Sequence, residues 1–421
     1  MLNESARADA AGHGRLAGGI TAIDGGEDVK DSSTMGAPAA ERKGLRASQA
    51  RAAFERLLAL ADVRVGGNRP WDIQIHHPGT FDRVLGQGSL GLGESYMDGW
   101  WDCERIDEFI CRALRAGLDR QVRNPALLLL ALKARLINMQ SPARAWQVGQ
   151  THYDTGNLLF EAMLDPTMSY SCGYWNDSAT LEQAQRAKLE LICRKLQLRP
   201  GMTLLDIGCG WGGLMRHAAE HHGVSCVGLT ISREQASWAR DRLRNLPVRI
   251  ELADYRDFNA DGSIGFDRVA SVGMFEHVGH RNYSAYFRMA RRSLHEDGLF
   301  LLHTIGKNHP GAATDPWIAR YVFPNGELPT AGELCTAAEP DFVIEDLHNF
   351  GADYAPTLMA WLARFDAAWP RLREHYPERF RRMWRYYLMA CAGASRARDN
   401  QLWQLVLSPR GAAGGYRRPL A

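Results

Sequence analysis

The sequence has no excess of charge of either sign. Its 421 residues include 50 lysines and arginines and 48 aspartates and glutamates, which gives a formal net charge of +2. No block of lysine and arginine stands out along the chain. Nothing therefore indicates a nucleic-acid partner, and any anionic partner would have to be met by a local basic patch.

Paired cysteines and long apolar runs are also missing. The eight cysteines are scattered, without C-x-x-C pairs or zinc-ligand spacing, so we expect free thiols, a reducing compartment and no metal site. We recognise no signal peptide, and no apolar run approaches the ~20 residues needed to span a bilayer. We expect a cytoplasmic protein that does not cross a membrane.

The length of the chain favours two domains rather than one. The Ala- and Gly-rich start lacks apolar periodicity and predicts a disordered leader. The full division that we predict is a leader at 1–46, a small, mixed and mainly helical accessory domain at 47–125, a connecting helix and linker at 126–146, a catalytic domain at 147–410 and a C-terminal tail at 411–421.

Two segments of the first half allow more than one interpretation. The glycine cluster from Gly86 to Tyr96 resembles a phosphate cradle, but no helix N-terminus is evident, so turns in the accessory domain are favoured. The segment from Pro125 to Ile137 predicts an apolar helix, and Lys133 and Arg135 give it a basic end. It serves either as an interdomain packing helix or as a contact with a membrane surface.

From Gly201 onward, strand and helix patterns alternate regularly. This alternation predicts a doubly wound α/β domain with a mostly parallel sheet, whose ligands bind at the carboxyl ends of the strands. The seven predicted strands are Thr203–Ile207, Ser225–Thr230, Val248–Leu252, Phe266–Val272, Gly298–Thr304, Phe342–Asp346 and Leu402–Leu407.

The first of these strands ends in a glycine-rich loop, LDIGCGWGG at 205–213. The alternation D-x-G-x-G-x-G resembles the cofactor loop of class I S-adenosylmethionine methyltransferases more than the G-x-G-x-x-G of dinucleotide-binding proteins. A P-loop is excluded because no G-K-[ST] follows. We therefore predict that Asp206, Gly208 and Gly210 bind S-adenosylmethionine.

Polar residues at the next two strand ends extend this cofactor site. Thr230, Ile231 and Gln235 follow the second strand, where many methyltransferases place an acid that holds the ribose. Thr230 would be a neutral substitute, or a helix N-cap or turn residue, and both roles are compatible. Asp254 and Tyr255 follow the third strand, where adenine commonly lies.

Glu276 follows the fourth strand and His303 lies at the end of the fifth. A carboxylate and an imidazole that converge on one crevice suggest proton handling or anion capture near the reactive sulfonium. His277 adjoins Glu276, and we leave it outside the predicted site because its side chain is free to point away.

Longer strings identify a family. The chain resembles cyclopropane-fatty-acyl-phospholipid synthases from about Ser48 to Ser408. The strings that carry this resemblance are GSLGLGESYMDGWW at 88–101, YSC at 170–172, LDIGCGWGG at 205–213, GMFEHVG at 273–279, LLHTIG at 301–306, FPNG at 323–326, NFGADY at 349–354 and ACAGA at 390–394. The related mycolic acid enzymes lack the extra N-terminal domain.

The resemblance implies transfer of the S-adenosylmethionine methyl to a cis double bond of a phospholipid acyl chain, followed by ring closure. It implies a bound bicarbonate as base, held by Cys172, Glu276, His303 and Tyr354, with Tyr170 and Ser171 in the cofactor site. It also implies peripheral association with the inner membrane face and a homodimer. The aromatic residues Tyr170, Tyr174, Phe275 and Tyr354 are candidates to stabilise a carbocation.

The sequence leaves alternatives open for Cys391, for the reaction and for the class of protein. Cys391 is either a catalytic thiol or a packed one, and its small neighbours favour packing. Methylation of the same alkene without ring closure is an alternative reaction. A second alternative is a catalytically silent, membrane-associated protein that binds S-adenosylmethionine. The presence of all four bicarbonate residues argues against this alternative.

Overall fold

The computed structural model describes residues 39–121, 156–259, 261–310 and 314–419, with side chains from residue 48 onward in the first range. The predicted helix from Pro125 to Ile137 and most of the predicted leader lie outside these residues. Among the described residues, those from 45 onward belong to one compact unit. None of the described helices is both long enough and apolar enough to cross a bilayer.

The first helix, α1, begins within the predicted leader. It spans Ala39–Leu60, so the prediction of disorder is wrong for residues 39–46. The physical reason is local, because Ala, Glu, Arg and Lys in this stretch are all strong helix formers and lead directly into the apolar periodicity that follows.

The remaining elements of the N-terminal segment are short. They are β1 at Gln74–Ile75, α2 at Gly79–Gln87, α3 at Ser89–Met97, β2 at Trp101–Asp102, α4 at Ile106–Arg115 and α5 at Leu118–Gln121. β1 and β2 pair antiparallel into a small separate sheet. The segment is mixed and mainly helical, as the sequence predicts.

The glycine cluster at 86–96 is helical, so the prediction of turns is wrong there. Within this cluster, only Gly88, with φ of 60°, is not helical, and it separates α2 from α3. Gly93 is buried in α3, and a Cβ atom at this position would lie 2.4 Å from Cδ1 of Trp317. The glycines therefore allow close packing against a residue more than 200 positions away, which local sequence patterns do not reveal.

The catalytic segment supplies the helices and strands that surround the main sheet. Its helices are α6 at Asn157–Met163, α7 at Leu181–Lys195, α8 at Gly213–His222, α9 at Arg233–Arg242, α10 at Tyr283–Arg292, α11 at Pro316–Tyr321, α12 at Ala331–Ala338, α13 at Tyr354–Leu372 and α14 at Glu378–Ala397. Its strands are β3 at Thr203–Ile207, β4 at Ser225–Thr230, β5 at Val248–Leu252, β6 at Phe266–Val272, β7 at Leu294–Lys307, β8 at Val343–Asn349 and β9 at Asn400–Ser408.

These seven strands form one sheet in the order β5-β4-β3-β6-β7-β9-β8. Every pair from β5 to β7 is parallel, and β9 runs antiparallel to both β7 and β8. The doubly wound α/β prediction is confirmed. The first four strands have the predicted bounds, whereas β7 begins at Leu294 and the last two strands extend beyond their predicted ends.

The sheet order fixes where a ligand binds. From β3 the chain passes outward through β4 to β5, and it then returns to β6 on the other side of β3 and continues to β7. The connections after β3 and β6 therefore lead away in opposite directions. Such a switch point opens a crevice at the carboxyl ends of the strands, between Ile207 and Val272.

The N-terminal segment shares a core with α13 and α14. Trp101 is fully buried, with ring centroids 5.9 Å from Phe109 and 6.3 Å from Tyr386 of α14. Gly393 of α14 lies so close to α4 that a Cβ atom there would be 2.5 Å from the carbonyl oxygen of Asp107. The predicted boundaries at 125 and 146 fall outside the described residues, so the domain division stays a prediction.

The predicted tail packs against the sheet edge over its described part. Arg418 Nε lies 2.9 Å from both carboxylate oxygens of Asp346 in β8, and the Tyr416 hydroxyl donates to the carbonyl oxygen of Lys195 at 3.0 Å. Residues 416–418 are therefore held to the edge where β8 lies.

Candidate active site

The glycine loop after β3 forms the floor of a cavity at the switch point. Gly208, Gly210 and Gly212 have φ of 84°, 55° and 83°, a region that residues with a side chain rarely adopt. The amides of Gly208 and Cys209 both donate to the carbonyl oxygen of Leu229 at 2.9 Å, which ties the loop to β4. A Cβ atom on Gly210 would meet no protein atom within 4 Å, so this position has room for a ligand.

At the end of β4, side chains form a short hydrogen-bonded chain. The Thr230 hydroxyl donates to Gln235 Oε1 at 3.0 Å and accepts from the Ser232 amide at 3.1 Å. The helix N-cap is Ser232, whose hydroxyl accepts from the Gln235 amide. The alternative of Thr230 as the N-cap is therefore wrong, and Thr230 instead orients Gln235.

After β5, Asp254 is held by its neighbour Arg256. Its Oδ1 accepts from the Arg256 amide at 3.0 Å and from Arg256 Nε at 2.8 Å. Tyr255 packs edge-on against Tyr286, with centroids 5.3 Å apart. Both predicted residues are thus fixed in position at the strand end.

The opposite wall comes from residues before the sheet. Lys188 of α7 is buried and donates from Nζ to the Ser171 hydroxyl at 2.9 Å. The Tyr170 hydroxyl lies 2.9 Å from that of Tyr387. Burial lowers the pKa of Lys188 to about 8 and raises that of Asp206 to about 7, although the charge of Lys188 opposes the shift at Asp206.

All ten predicted cofactor residues line this one cavity. They are Tyr170, Ser171, Asp206, Gly208, Gly210, Thr230, Ile231, Gln235, Asp254 and Tyr255. The sequence analysis missed other lining residues, namely Lys188, Trp211, Met274, His277 and Asn325. Met274 and His277 lie within two residues of the predicted Glu276, so their nearness in sequence could have identified them. No local sequence feature identifies Lys188.

Glu276 lies in a 3-10 helix at Phe275–His277, between these lining residues. Its Oε1 accepts a hydrogen bond of 2.7 Å from the main-chain amide of Ile305 in β7. Its Oε2 is buried and has no hydrogen-bond partner among the described residues. Burial raises the pKa of Glu276 to about 7, despite the opposing hydrogen bond from Ile305.

His303 lies two residues before Ile305 on β7 and is almost fully buried. Its Nδ1 is 3.1 Å from Gln404 Nε2 of the adjacent strand β9, and its Nε2 has no hydrogen-bond partner in the described part of the chain. With the Gln404 amide as donor, the imidazole carries its proton on Nε2. Burial lowers the pKa of His303 well below its usual value, so the ring is neutral.

Cys172 and Tyr354 complete the predicted group of four. They belong with Phe350 and Ile305 to one small apolar cluster, and the Phe350 ring lies 5.8 Å from that of His303. Burial raises the pKa of Cys172 and of Tyr354 well above the usual values, so both are neutral. The structure thus gathers these side chains around the Ile305 end of β7.

The chain is similar to known proteins over most of its length. The family model described as mycolic acid cyclopropane synthetase matches residues 140–405. Over 362 residues, the chain is 56% identical to the cyclopropane-fatty-acyl-phospholipid synthase of Escherichia coli (strain K12), which covers 86% of this chain and 94% of that protein. The chain belongs to this synthase family.

Two solved structures of cyclopropane synthases are similar to this chain. The cyclopropane synthase MmaA2 from Mycobacterium tuberculosis matches with a TM-score of 0.58 at 33% identity, and mycolic acid cyclopropane synthase CmaA1, complexed with SAH and CTAB, matches with 0.58 at 35% identity. Each covers 62% of this chain and 97% of its own. The fold is that of class I methyltransferases, and the chain is an S-adenosylmethionine-dependent methyltransferase that acts in cyclopropane fatty acid synthesis.

Cys391, the remaining predicted catalytic residue, lies in α14. Burial raises the pKa of its thiol to about 12, so the reactive thiolate is scarce at neutral pH. The helix around it packs closely, as the contact of Gly393 with the Asp107 carbonyl shows. The environment favours a packed thiol over a nucleophile.

Two of the four aromatic candidates, Tyr170 and Phe275, lie in different environments. Tyr170 packs against Phe160 and Trp361 at 5.1 and 5.2 Å between centroids, and it also lines the cofactor cavity. Phe275 is fully buried in the core of the sheet, with its ring 4.5 Å from that of Tyr283. Core packing therefore accounts for Phe275, and Tyr170 is the better candidate for contact with the reacting atoms.

Proposed function

We propose that this chain methylates a cis double bond in the acyl chains of membrane phospholipids and closes a cyclopropane ring, with bicarbonate as the base. The observation that carries the base assignment is a buried donor and a buried acceptor at one strand end. His303 Nε2 and Glu276 Oε2 both lack partners within the described residues, and a buried polar atom without a partner costs about 1–3 kcal/mol.

These two atoms fit bicarbonate. The His303 N–H would donate to a negatively charged oxygen, and the Glu276 carboxylate would accept the hydroxyl proton of the same ion. Glu276 beside an anion is then an orienting group rather than a repulsive one. Cys172 and Tyr354, both neutral and nearby, would supply further hydrogen bonds. When bound there, bicarbonate would supply a base for proton removal from the transferred methyl.

The proposed reaction places three requirements on the protein. As the alkene electron pair bonds to the methyl carbon, the S–CH₃ bond breaks and leaves a thioether and a carbocation on the acyl chain. Loss of one proton from that methyl, with its electron pair joining the cationic carbon, closes the ring. The chain must therefore hold the sulfonium, shield the cation from water and keep the base oriented.

The cavity offers residues for the first two tasks. The glycine loop, Thr230 and Asp254 surround the space for S-adenosylmethionine. Tyr170, backed by Phe160 and Trp361, would face the developing cation, and cation–π attraction contributes about 0.5–2 kcal/mol per ring.

We further propose that the enzyme works at the inner membrane face and that residues 47–125 give access to lipid. The support is the relative whose name specifies a phospholipid and the predicted basic end at Lys133 and Arg135. Binding to anionic vesicles should then weaken as salt rises, and Lys133→Gln/Arg135→Gln should weaken it further. Equal binding to neutral and anionic vesicles at all salt concentrations would contradict this. The homodimer also stays a prediction, and sedimentation analysis of the purified protein would test it.

The proposed reaction is tested with purified enzyme, methyl-labelled S-adenosylmethionine and vesicles of unsaturated phospholipid. We expect label in the lipid, ring-proton resonances in the NMR spectrum and a rate that falls when carbon dioxide is removed and recovers with added bicarbonate. Olefinic methylene signals would instead show methylation without ring closure, and no turnover would favour a silent binding protein. A full rate without bicarbonate would overturn the base assignment.

A further inference from the structure

A cluster of metal-ligating side chains lies between α7 and α8. The Nε2 atoms of His217 and His222 both lie 3.1 Å from a single oxygen, Oε2 of Glu190. Cys193, three residues after Glu190 on α7, is fully buried. Its Sγ and the ligand nitrogens of the two histidines all lie within 4.8 Å of one another.

We propose that Cys193, His217 and His222, with Glu190 as the fourth ligand, form a binding site for a zinc-class transition-metal ion. Thiolate, imidazole and carboxylate are the ligands that Zn²⁺ takes in proteins, and four of them make a closed structural site. None of the four residues lines the cofactor cavity, so the site is distinct from the active site.

The geometry requires only small movements. With metal–nitrogen distances of about 2.0–2.1 Å and a metal–sulfur distance of about 2.3 Å, tetrahedral ligand atoms lie roughly 3.3–3.6 Å apart. Cys193 Sγ and the two imidazole nitrogens lie within 4.8 Å of one another, so these separations exceed the tetrahedral range by about 1.5 Å at most. α8 already directs both imidazoles at Oε2 of Glu190 on α7, and these hydrogen bonds would be replaced by bonds to the metal.

No local pattern in the sequence indicates this site, and our expectation of no metal site came from the missing C-x-x-C and zinc-ligand spacings. Here the ligands come in pairs from two helices, at 190 and 193 and at 217 and 222. Such spacing is not a recognisable pattern, and only the packing of α7 against α8 brings the pairs together.

A metal in this position would brace the cofactor cavity from outside. α7 also carries Lys188, which donates to Ser171 in the cavity wall, and α8 begins at Gly213, directly after the glycine loop. Fixing the two helices to each other should stabilise the folded chain, because the complete ligand set exists only in the native state.

The test uses the full chain, reduced and stripped of metal by chelator, and titrates it with Co²⁺ and Zn²⁺. We expect one equivalent of Co²⁺ to give a sulfur-to-cobalt charge-transfer band, Zn²⁺ to displace it, and Zn²⁺ to raise the melting temperature. Cys193→Ser should abolish the band. His222→Ala, at a partly exposed position, should weaken Zn²⁺ binding by about tenfold or more.

Matched controls keep the result specific. Cys335→Ser removes a partly exposed thiol outside the cluster, and His375→Ala removes an exposed histidine outside it, so both variants should bind metal like the parent chain. Absence of the band in the parent chain, its survival in Cys193→Ser, or unchanged Zn²⁺ affinity in His222→Ala would overturn the proposal. The measurement needs no methyl transfer, so its failure leaves the proposed function unaffected.

Discussion

The main-chain amide of Ile305 donates a hydrogen bond of 2.7 Å to Oε1 of Glu276. This contact joins the segment after β6 to β7, the neighbouring strand on which His303 also lies. One carboxylate oxygen is thereby fixed to the backbone while the other remains for a ligand. The arrangement leads to predictions for both activity and stability.

We expect Glu276→Gln to lower kcat by about 10²–10⁴-fold, the range for loss of a general base, because the bicarbonate base would lose the group that orients it. The amide keeps the size and the acceptor for the Ile305 N–H, but it loses the charge that orients bicarbonate. Affinity for S-adenosylhomocysteine should change little, which marks an interaction needed for chemistry rather than for binding. Glu339→Gln, at an exposed position, is the control, and steady-state kinetics with calorimetric titration make the comparison.

The same variant should be more stable than the parent chain at high pH. Because burial raises the pKa of Glu276 from 4.5 to about 7, the unfolded state loses its proton first as pH rises. The free energy of unfolding therefore falls by up to about 3 kcal/mol between pH 4.5 and pH 7. It stays at this lower value above pH 7.

Urea unfolding at pH 5 and pH 8 measures this. Glu276→Gln should gain stability at pH 8, and the gain should shrink at pH 5. The raised pKa of Asp206 is common to both proteins and cancels in the difference. An equal effect at both pH values would contradict the raised pKa of Glu276.

Gly210→Val should weaken binding of S-adenosylhomocysteine by at least about 100-fold, or about 3 kcal/mol. Its branched side chain would occupy the space that opens above Gly210, where no protein atom lies within 4 Å. Gly66→Val is the matched control, because Gly66 has a similar φ of 68°, equally open space and no place in the cavity lining. Unchanged affinity in folded Gly210→Val would refute the loop assignment.

Cys391→Ser should keep kcat within about a factor of five, a change of roughly 1 kcal/mol in the barrier. The reason is that a thiol with a pKa near 12 is protonated at neutral pH, and Ser has nearly the same shape. A folded variant that binds cofactor but has no activity would instead return this thiol to the centre of the mechanism.

Gly93→Ala should destabilise the chain by about 1–3 kcal/mol, since its Cβ would lie 2.4 Å from Trp317. Gly86→Ala in α2 provides the opposite case. Its Cβ would meet nothing within 4 Å, so it should stabilise the helix by about 0.5–1 kcal/mol. Melting temperatures that move in the same direction for both variants would contradict the packing role of Gly93.

The sequence by itself determined the sheet and the edge where ligands bind. The bounds of β3 to β6 follow from apolar runs that end at glycines or polar residues, which are local features. Asp206, Glu276 and His303 then follow from topology, because parallel strands bring their carboxyl ends to one edge whatever lies between them. For the same reason, the cofactor residues at the ends of β3, β4 and β5 were predictable as a group, whereas Lys188 of α7 was not.

Only the tertiary structure decided contacts between distant segments. The close packing of Gly93 depends on the position of Trp317, the tautomer of His303 depends on its register with Gln404, and the Cys193 cluster depends on how α7 meets α8. Sequence periodicity reports on neighbours a few residues apart. Which side chains meet across helices and strands is set by their packing angle and register, and these are fixed only when the whole core assembles.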